Sequence, residues 1–359
     1  MFFISAFFVY FFFIGLSYKS GSDWYNYLAD YNAGCVNPNF ELGYKAVCSG
    51  FSFFGINYWF FSAFIKCFYI SVLGWVLWRA RGAPLAAFVL YVLLSIVFLE
   101  NMLRQQLAAA FVLLALLYMR KGNLVAFFLL FCASLFHLSA LVCIPVVFLF
   151  RSAVLRSFFL SLSILFFFFQ SLKIFNFASI AEFFLPYLSG YNFAARVVLY
   201  VGFDHYPMTL GHLLRLVLLL LYSILFYFSS KRDLEVDTEY WLRLSYSAVL
   251  LMFFYEMVFY DFGVFWMRVR EFFTVFLVIF PFLLARYFKP HLWLVVFLTV
   301  TAYSVYVFYG LFSLPVFDSL YKGYSNSALQ LISRDIDFDR QRDMAVEEYW
   351  LKWKAGELR

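Results

Sequence analysis

Apolar runs long enough to cross a bilayer recur from one end of this chain to the other, and few folds tolerate that. About 30 Å of hydrocarbon calls for roughly 20 helical residues, and runs such as Leu216–Phe228 are continuous. A β-barrel needs segments of about ten residues that alternate in hydrophobicity, so the pattern argues against one. Hydrophobic residues make up 65% of the chain and charged residues only 13%, where a soluble domain carries about twice that charge. With mean hydropathy at +0.84, the expected fold is an all-α polytopic integral membrane protein. The first run, Met1–Leu16, has neither a basic leader nor a small-residue cleavage site, so it reads as a retained helix rather than a signal peptide.

About eleven crossings are expected (10–12), at roughly 2–18, 57–78, 84–100, 105–119, 124–136, 138–150, 157–173, 211–228, 243–260, 271–286 and 291–312. Lys and Arg concentrate in the turns Arg79–Gly82, Arg120–Asn123, Arg151–Arg156, Lys231–Arg243 and Arg286–Lys289. The positive-inside rule makes these turns cytoplasmic. Loops 19–56, 101–104, 174–210 and 261–270, with the turn at His137, then face outward. As a single helix, Leu124–Leu149 would put Arg120/Lys121 and Arg151/Arg156 on opposite faces. Two half-length helices meeting near His137 avoid this, and a broken helix is tolerated where its apex lines a cavity. Residues 1–312 thus form one transmembrane domain with extracytoplasmic loops 19–56 and 174–210, and 313–359 form a polar extramembrane tail. Segment 174–210 mixes Glu182, Arg196, Asp204 and His205 with aromatic residues and reads as an interfacial amphipathic helix. The net charge of +6 is spread over short loops, which fits a lipid bilayer partner and no nucleic acid.

A chain this apolar places charge inside or beside the membrane at a cost, so each such group is a functional candidate. In Gly21-Ser22-Asp23-Trp24-Tyr25-Asn26-Tyr27 the aromatics suit an interfacial belt, but an acid gains nothing there. Asp23 is therefore a candidate general base or sugar-hydroxyl ligand. Glu41, in Glu41-Leu42-Gly43-Tyr44, is either a solvated loop acid or a site carboxylate. Arg104, followed by Gln105 and Gln106, opens a helix, where a cation opposes the macrodipole. Its planar fork suits a diphosphate; the competing reading is a local pair with Glu100. His137, in Phe136-His137-Leu138-Ser139, is either a satisfied core group or a base or donor at the apex of the broken helix. Arg268 and Arg270 are snorkelling anchors or further diphosphate ligands. Lys66 is expected to snorkel, and Glu256 to face the bundle interior and a polar partner.

Asp335-Ile336-Asp337-Phe338-Asp339 reads as a solvated acidic run, because a tail of this length cannot supply the α/β domain of a soluble nucleotide-sugar enzyme. No spacing suggests a metal site and no glycine-rich phosphate loop is present, so neither metal nor cofactor is expected. Cys67, Cys132 and Cys143 lie in apolar runs and read as small hydrophobes. Cys35 and Cys48 share an outward loop with Gly34 and Pro38 between or beside them. A disulfide is expected there, contributing roughly 3 kcal/mol by loop closure and holding Glu41 near the membrane surface.

Taken in order, these clusters resemble the EpsG family of Wzy-type polysaccharide polymerases. The matching stretches are Gly21–Tyr27, Glu41–Tyr44, Arg104-Gln105-Gln106-Leu107-Ala108, Phe136-His137-Leu138-Ser139-Ala140 and Arg268-Val269-Arg270-Glu271-Phe272-Phe273. They cover about residues 15–275, with departures at Ser17 and Trp24, where relatives carry arginine and tyrosine. The resemblance implies a metal-independent, C-type membrane glycosyltransferase. Such an enzyme moves a growing glycan from undecaprenyl diphosphate onto a lipid-linked repeat unit at the outer face of the bacterial cytoplasmic membrane. The product would be O-antigen of lipopolysaccharide, capsule or exopolysaccharide. Its partners would be the lipid-linked donor and acceptor, a chain-length regulator and a flippase. On that reading Asp23, Glu41 and His137 are catalytic, and Arg104, Gln105, Arg196, Arg268, Arg270, Tyr27 and Tyr44 bind diphosphate or sugar. Two other classes compete. One is a membrane-bound O-acyltransferase, which also uses a histidine inside an apolar run. The other is a lipid-linked sugar flippase, which calls for hydropathy repeats the chain does not display.

Overall fold

The computed structural model describes residues 2–80, 83–172, 174, 210–231, 233–259, 263–284, 290–312, 320–321, 325–333 and 335–355. Helix α1 (Phe2–Tyr10) runs into a π-helical turn, Phe11–Gly15. Two short helices, α2 (Trp24–Asn32) and α3 (Leu42–Phe53), follow in the first loop. Next come α4 (Tyr58–Arg79), α5 (Pro84–Asn101), α6 (Leu103–Tyr118), α7 (Asn123–Ser134), α8 (Ile144–Arg151) and α9 (Ala153–Ser171). Further along lie α10 (Leu210–Ser229), α11 (Val236–Val258), α12 (Gly263–Glu271), α13 (Thr274–Leu284) and α14 (Pro290–Phe312). The tail carries α15 (Ser327–Ser333) and α16 (Ile336–Ala355). Local chemistry sets several starts. Asn57 accepts the Trp59 N–H and caps α4, Ser152 accepts the Leu155 N–H and caps α9, and Pro84 opens α5.

Among the described residues six helices are long and apolar enough to cross a membrane: Tyr58–Arg79, Pro84–Asn101, Leu103–Lys121, Ala153–Ser171, Gly211–Ser229 and Val236–Val258. The other expected crossings fall on shorter apolar helices, Ser5–Gly15, Asn123–Ser134, Leu138–Arg151, Thr274–Leu284 and Phe297–Gly310. At 12 residues, α7 is about 18 Å long, well short of the hydrocarbon thickness. The run Leu124–Leu149 breaks near His137, where a 3₁₀ segment, Leu138–Cys143, separates α7 from α8. Helix α11 begins at Val236 rather than near 243, so Asp237, Glu239 and Arg243 sit on its first turns and not in a loop. Apart from its two end residues, the interfacial helix expected over 174–210, Arg196 included, lies outside the described residues.

The chain divides into two compact units, Met1–Leu141 with Thr301–Arg359, and Val142–Val300. In the first, α6 packs against α4 and α7. Fully buried Ala108, Ala110 and Ala115 on α6 let neighbouring backbones approach, as small residues do where the solvent is lipid. The tail belongs to this unit, and an antiparallel bridge joins Ser17 to Asn326. In the second unit, α11 packs against α8, α9, α10 and α13.

Candidate functional site

The candidate site of the first unit is assembled where four sequence-distant turns meet. The first is Gly21, whose φ of +80° lies in the left-handed region. A Cβ there would stand 1.8 Å from Asn101 Oδ1, so only glycine lets the turn sit on the end of α5. Asn101 Oδ1 accepts the N–H groups of Ser22 (2.8 Å) and Asp23 (3.4 Å). Its amide donates to Val97 O at 3.1 Å and meets the Tyr321 hydroxyl.

The second junction joins Glu41 to Arg104. Glu41 is the N-cap residue of α3, yet its side chain makes no capping bond. Instead its carboxylate takes Arg104 Nη1 at 2.5 Å, with side-chain exposures of only 17% and 16%. This acid offsets the unfavourable position of an arginine in the first turn of α6. The Phe40 ring lies 4.2 Å from the guanidinium carbon, a cation–π contact, and the Tyr27 side chain bonds the same group. Arg104 Nε and the Tyr44 hydroxyl are both buried and without a hydrogen-bond partner among the described residues. Burial also pushes the Tyr44 phenol well above its ordinary range, so it stays a neutral donor.

The third junction brings in His137. The Gly43 N–H donates to Leu135 O at 2.8 Å, and a Cβ on Gly43 would meet that oxygen at 2.8 Å and the carbonyl carbon at 3.0 Å. Glycine in Glu41-Leu42-Gly43-Tyr44 is thus what allows α3 to dock on the turn that carries His137. Phe136 stacks on Phe111 of α6, centroids 5.2 Å apart at 14°. The Ser139 N–H (3.3 Å) and hydroxyl (2.6 Å) both face His137 Nδ1. Accepting from a backbone N–H makes Nδ1 the unprotonated nitrogen of a neutral ring, which leaves the proton on Nε2. In that tautomer Nε2 is a donor.

A disulfide joins Cys35 to Cys48, S–S 1.99 Å and Cα–Cα 6.0 Å, and ties α3 to the loop after α2. Asp30 braces the same loop by accepting the Asn37 N–H at 2.8 Å. Asp30 lies beside both sulfurs, but sulfurs bonded to each other offer no thiolate to a metal.

Arg104 pairs with Glu41 rather than with Glu100, so the competing reading of a local pair does not hold, and Lys66 does not snorkel as expected. Lys66 is 2% exposed, and its ammonium donates to Glu100 Oε2 (3.0 Å), Ser17 Oγ (2.8 Å) and Ile14 O (3.0 Å). Ser17 also donates to Glu100 at 2.5 Å. The π-helical turn ends beside this pair, and such turns often mark functional segments. Lys66, Glu100, Asn101, Trp24, Tyr58 and Trp59 help line a small cleft. Tyr44 is fully buried and Gln105 is 1% exposed, so neither side chain lies at the surface. Tyr44 instead packs among Tyr27, Phe40 and Phe61. Gln106, at 0% exposure, donates to the carbonyls of Phe98 and Leu99, each at 2.9 Å, and so closes the end of α5.

The second unit holds its own charge cluster. Glu256, fully buried on α11, pairs with Arg215 of α10, and His212 Nε2 lies 3.8 Å from it. Arg270 is near enough to act on the same carboxylate and pairs with Glu271 at 2.7 Å. Glu256 thus faces the interior with polar partners, as its place in an apolar run implied. Arg268 is half-buried on α12. Sequence reasoning missed Asn101, Phe40, Arg215 and His212 as site or cluster members. For Arg215 and His212 a signal existed, since both stand in the first turns of an apolar helix.

The fold and these clusters define an all-α membrane protein that concentrates fixed charge at helix ends. The chain belongs to the EpsG family, whose model matches residues 1–326. That membership points to a polymerase-type, glycosyltransferase-like function in polysaccharide synthesis. No curated protein and no solved structure matches the chain.

Proposed function

We propose that this protein is a polysaccharide polymerase. It would transfer a growing glycan from undecaprenyl diphosphate onto a lipid-linked repeat unit at the outer face of the bacterial cytoplasmic membrane. The observation that carries the reading is the part-buried Arg104–Glu41 pair, to which separate segments contribute cation, counter-ion and roof. In the reaction an acceptor hydroxyl attacks the anomeric carbon, the bond to the diphosphate oxygen breaks, and the hydroxyl proton passes to a base. A fixed arginine stabilises the charge that develops on the leaving diphosphate without further reorganisation. Arg104 takes that part here, and Arg268 and Arg270 are further candidates for it. Glu41, already bound to Arg104, serves as its orienting counter-ion rather than as the base. Asp23 is then the base. His137, a donor at Nε2, hydrogen-bonds the substrate.

The test is glycan chain length in cells beside polymerisation of purified lipid-linked repeat units. Arg104→Lys replaces a bidentate fork with a point charge and should lower the rate by about 100- to 1000-fold. His137→Ala should be comparably impaired, and His205→Ala mild. A null strain should cap its lipid with a single repeat unit. Full-length glycan lacking acyl groups would favour an acyltransferase, and no displayed unit a flippase. Long chains at near-normal rates from well-expressed Arg104→Lys would overturn the assignment.

A further inference from the structure

The C-terminal segment from Leu320 onward, most of which lies beyond the family match, holds the turn that carries Asp23. Three main-chain bonds tie the end of the first helix to it: Tyr18 N–H to Ser325 O (3.0 Å), Gly21 N–H to Leu320 O (3.3 Å) and Ser327 N–H to Leu16 O (2.8 Å). Asn326 donates to Phe12 O at 2.9 Å, taking a carbonyl of the π-helical turn. Lys19 has φ +48°, a left-handed conformation that costs a non-glycine residue free energy unless its surroundings impose it. Its ammonium is held by Asp343 at 2.8 Å and Asp339 at 3.3 Å, both on α16. Trp24 packs with Leu320 and Val346. The Tyr321 hydroxyl meets the Asn101 amide, and the other end of that amide accepts from Ser22 and Asp23.

We infer that α16 is a docked strap that lies on the same side of the membrane as loop 19–56 and keeps the Gly21–Asp23 turn in place, with Tyr321 and Lys19 as its positioning contacts. The side follows from connectivity. Residues 16–24 leave the first apolar helix, residues 320–327 follow the last one, and the two stretches share backbone hydrogen bonds. Helix α16 cannot itself cross, because Asp337, Asp339, Arg340, Arg342, Asp343, Glu347 and Glu348 lie along it. An even number of crossings must therefore separate residue 24 from residue 320. Arg342 pins the strap by donating to Leu320 O at 2.5 Å. The placement is independent of the polymerase reading; only the effect on catalysis rests on it.

Two measurements test this. The first uses single cysteines at Leu351, Val36 and Lys121 in a chain with Cys67, Cys132 and Cys143 changed to serine, and a membrane-impermeant maleimide on sealed, oriented vesicles. Leu351→Cys should label from the same side as Val36→Cys and opposite to Lys121→Cys; labelling from the Lys121 side would overturn the placement. The second is hydrogen exchange at the Tyr18 and Gly21 amides. Lys19→Asp, which sets an acid against Asp339 and Asp343, should speed exchange about tenfold, and Lys19→Asp with Asp343→Lys should slow it again. Unchanged exchange in Lys19→Asp would refute the strap. Chain length should fall and recover in parallel with exchange. Fast exchange with wild-type chain length would remove α16 from catalysis while leaving its placement intact. Loss of all polymer in both single and double variants, with exchange restored in the double, would count against the polymerase roles and not the strap.

Discussion

Replacing Gly43 by alanine tests whether the dock between α3 and the His137 turn holds the site together. The new methyl would meet Leu135 O at 2.8 Å, its carbonyl carbon at 3.0 Å and its Cβ at 3.1 Å. Two of those three atoms are backbone, so the strain cannot be relieved by a rotamer change, and the two segments must separate. Overpacking of this kind costs about 1–3 kcal/mol. Separation also stretches the 2.8 Å Gly43 N–H···O Leu135 bond, worth about 1 kcal/mol. Against this, alanine gains about 1 kcal/mol of helix propensity over glycine. The net expectation is a loss of about 1–3 kcal/mol. Gly50 lies on the same helix, and a methyl there would find nothing within 4 Å, so Gly50→Ala collects the propensity gain alone. Thermal unfolding of both variants in one detergent, at one scan rate, should therefore move in opposite directions. The midpoint is expected to fall by several degrees for Gly43→Ala and to rise slightly for Gly50→Ala. Equal midpoints would refute the close-approach argument.

Lys66→Met strands the Glu100 carboxylate in a buried setting and should cost about 3–5 kcal/mol, whereas Lys66→Met with Glu100→Gln should recover most of it in the same melt. Glu41→Gln should leave a part-buried guanidinium without its counter-ion, lowering both accumulation and polymer length, while Glu41→Asp should retain part of each. Cys35 and Cys48 should resist alkylation until the protein is reduced, and Cys35→Ser with Cys48→Ser should lower stability by about 3 kcal/mol in a chemical-denaturation series. Glu256→Leu should depress accumulation more strongly than Glu239→Leu, because Glu256 is fully buried against Arg215 and the Glu239 side chain is about half exposed on the first turn of α11.

Properties that depend on neighbours in the chain were legible without a structure. The length and continuity of apolar runs announce membrane helices, because the bilayer asks only that backbone polar groups be satisfied within each segment. The break at His137 could likewise be read from the basic residues flanking Leu124–Leu149. The short motifs, taken in order, pointed to the family that the match over 1–326 establishes. What stayed hidden is which charge meets which. Arg104 finds Glu41 across 63 positions rather than nearby Glu100, and Glu100 finds Lys66 across 34. Nothing local selects those partners. Helix packing does, by bringing α4 beside α5 and α6 and seating α3 on the turn after α7. A charge removed from water must then pair with whatever opposite charge the packing presents. The same reason explains the tail. Its sequence reads as a polar tail with a solvated acidic run, and only the fold sets Asp339 and Asp343 against Lys19 and makes the end of the chain part of the wall around its beginning.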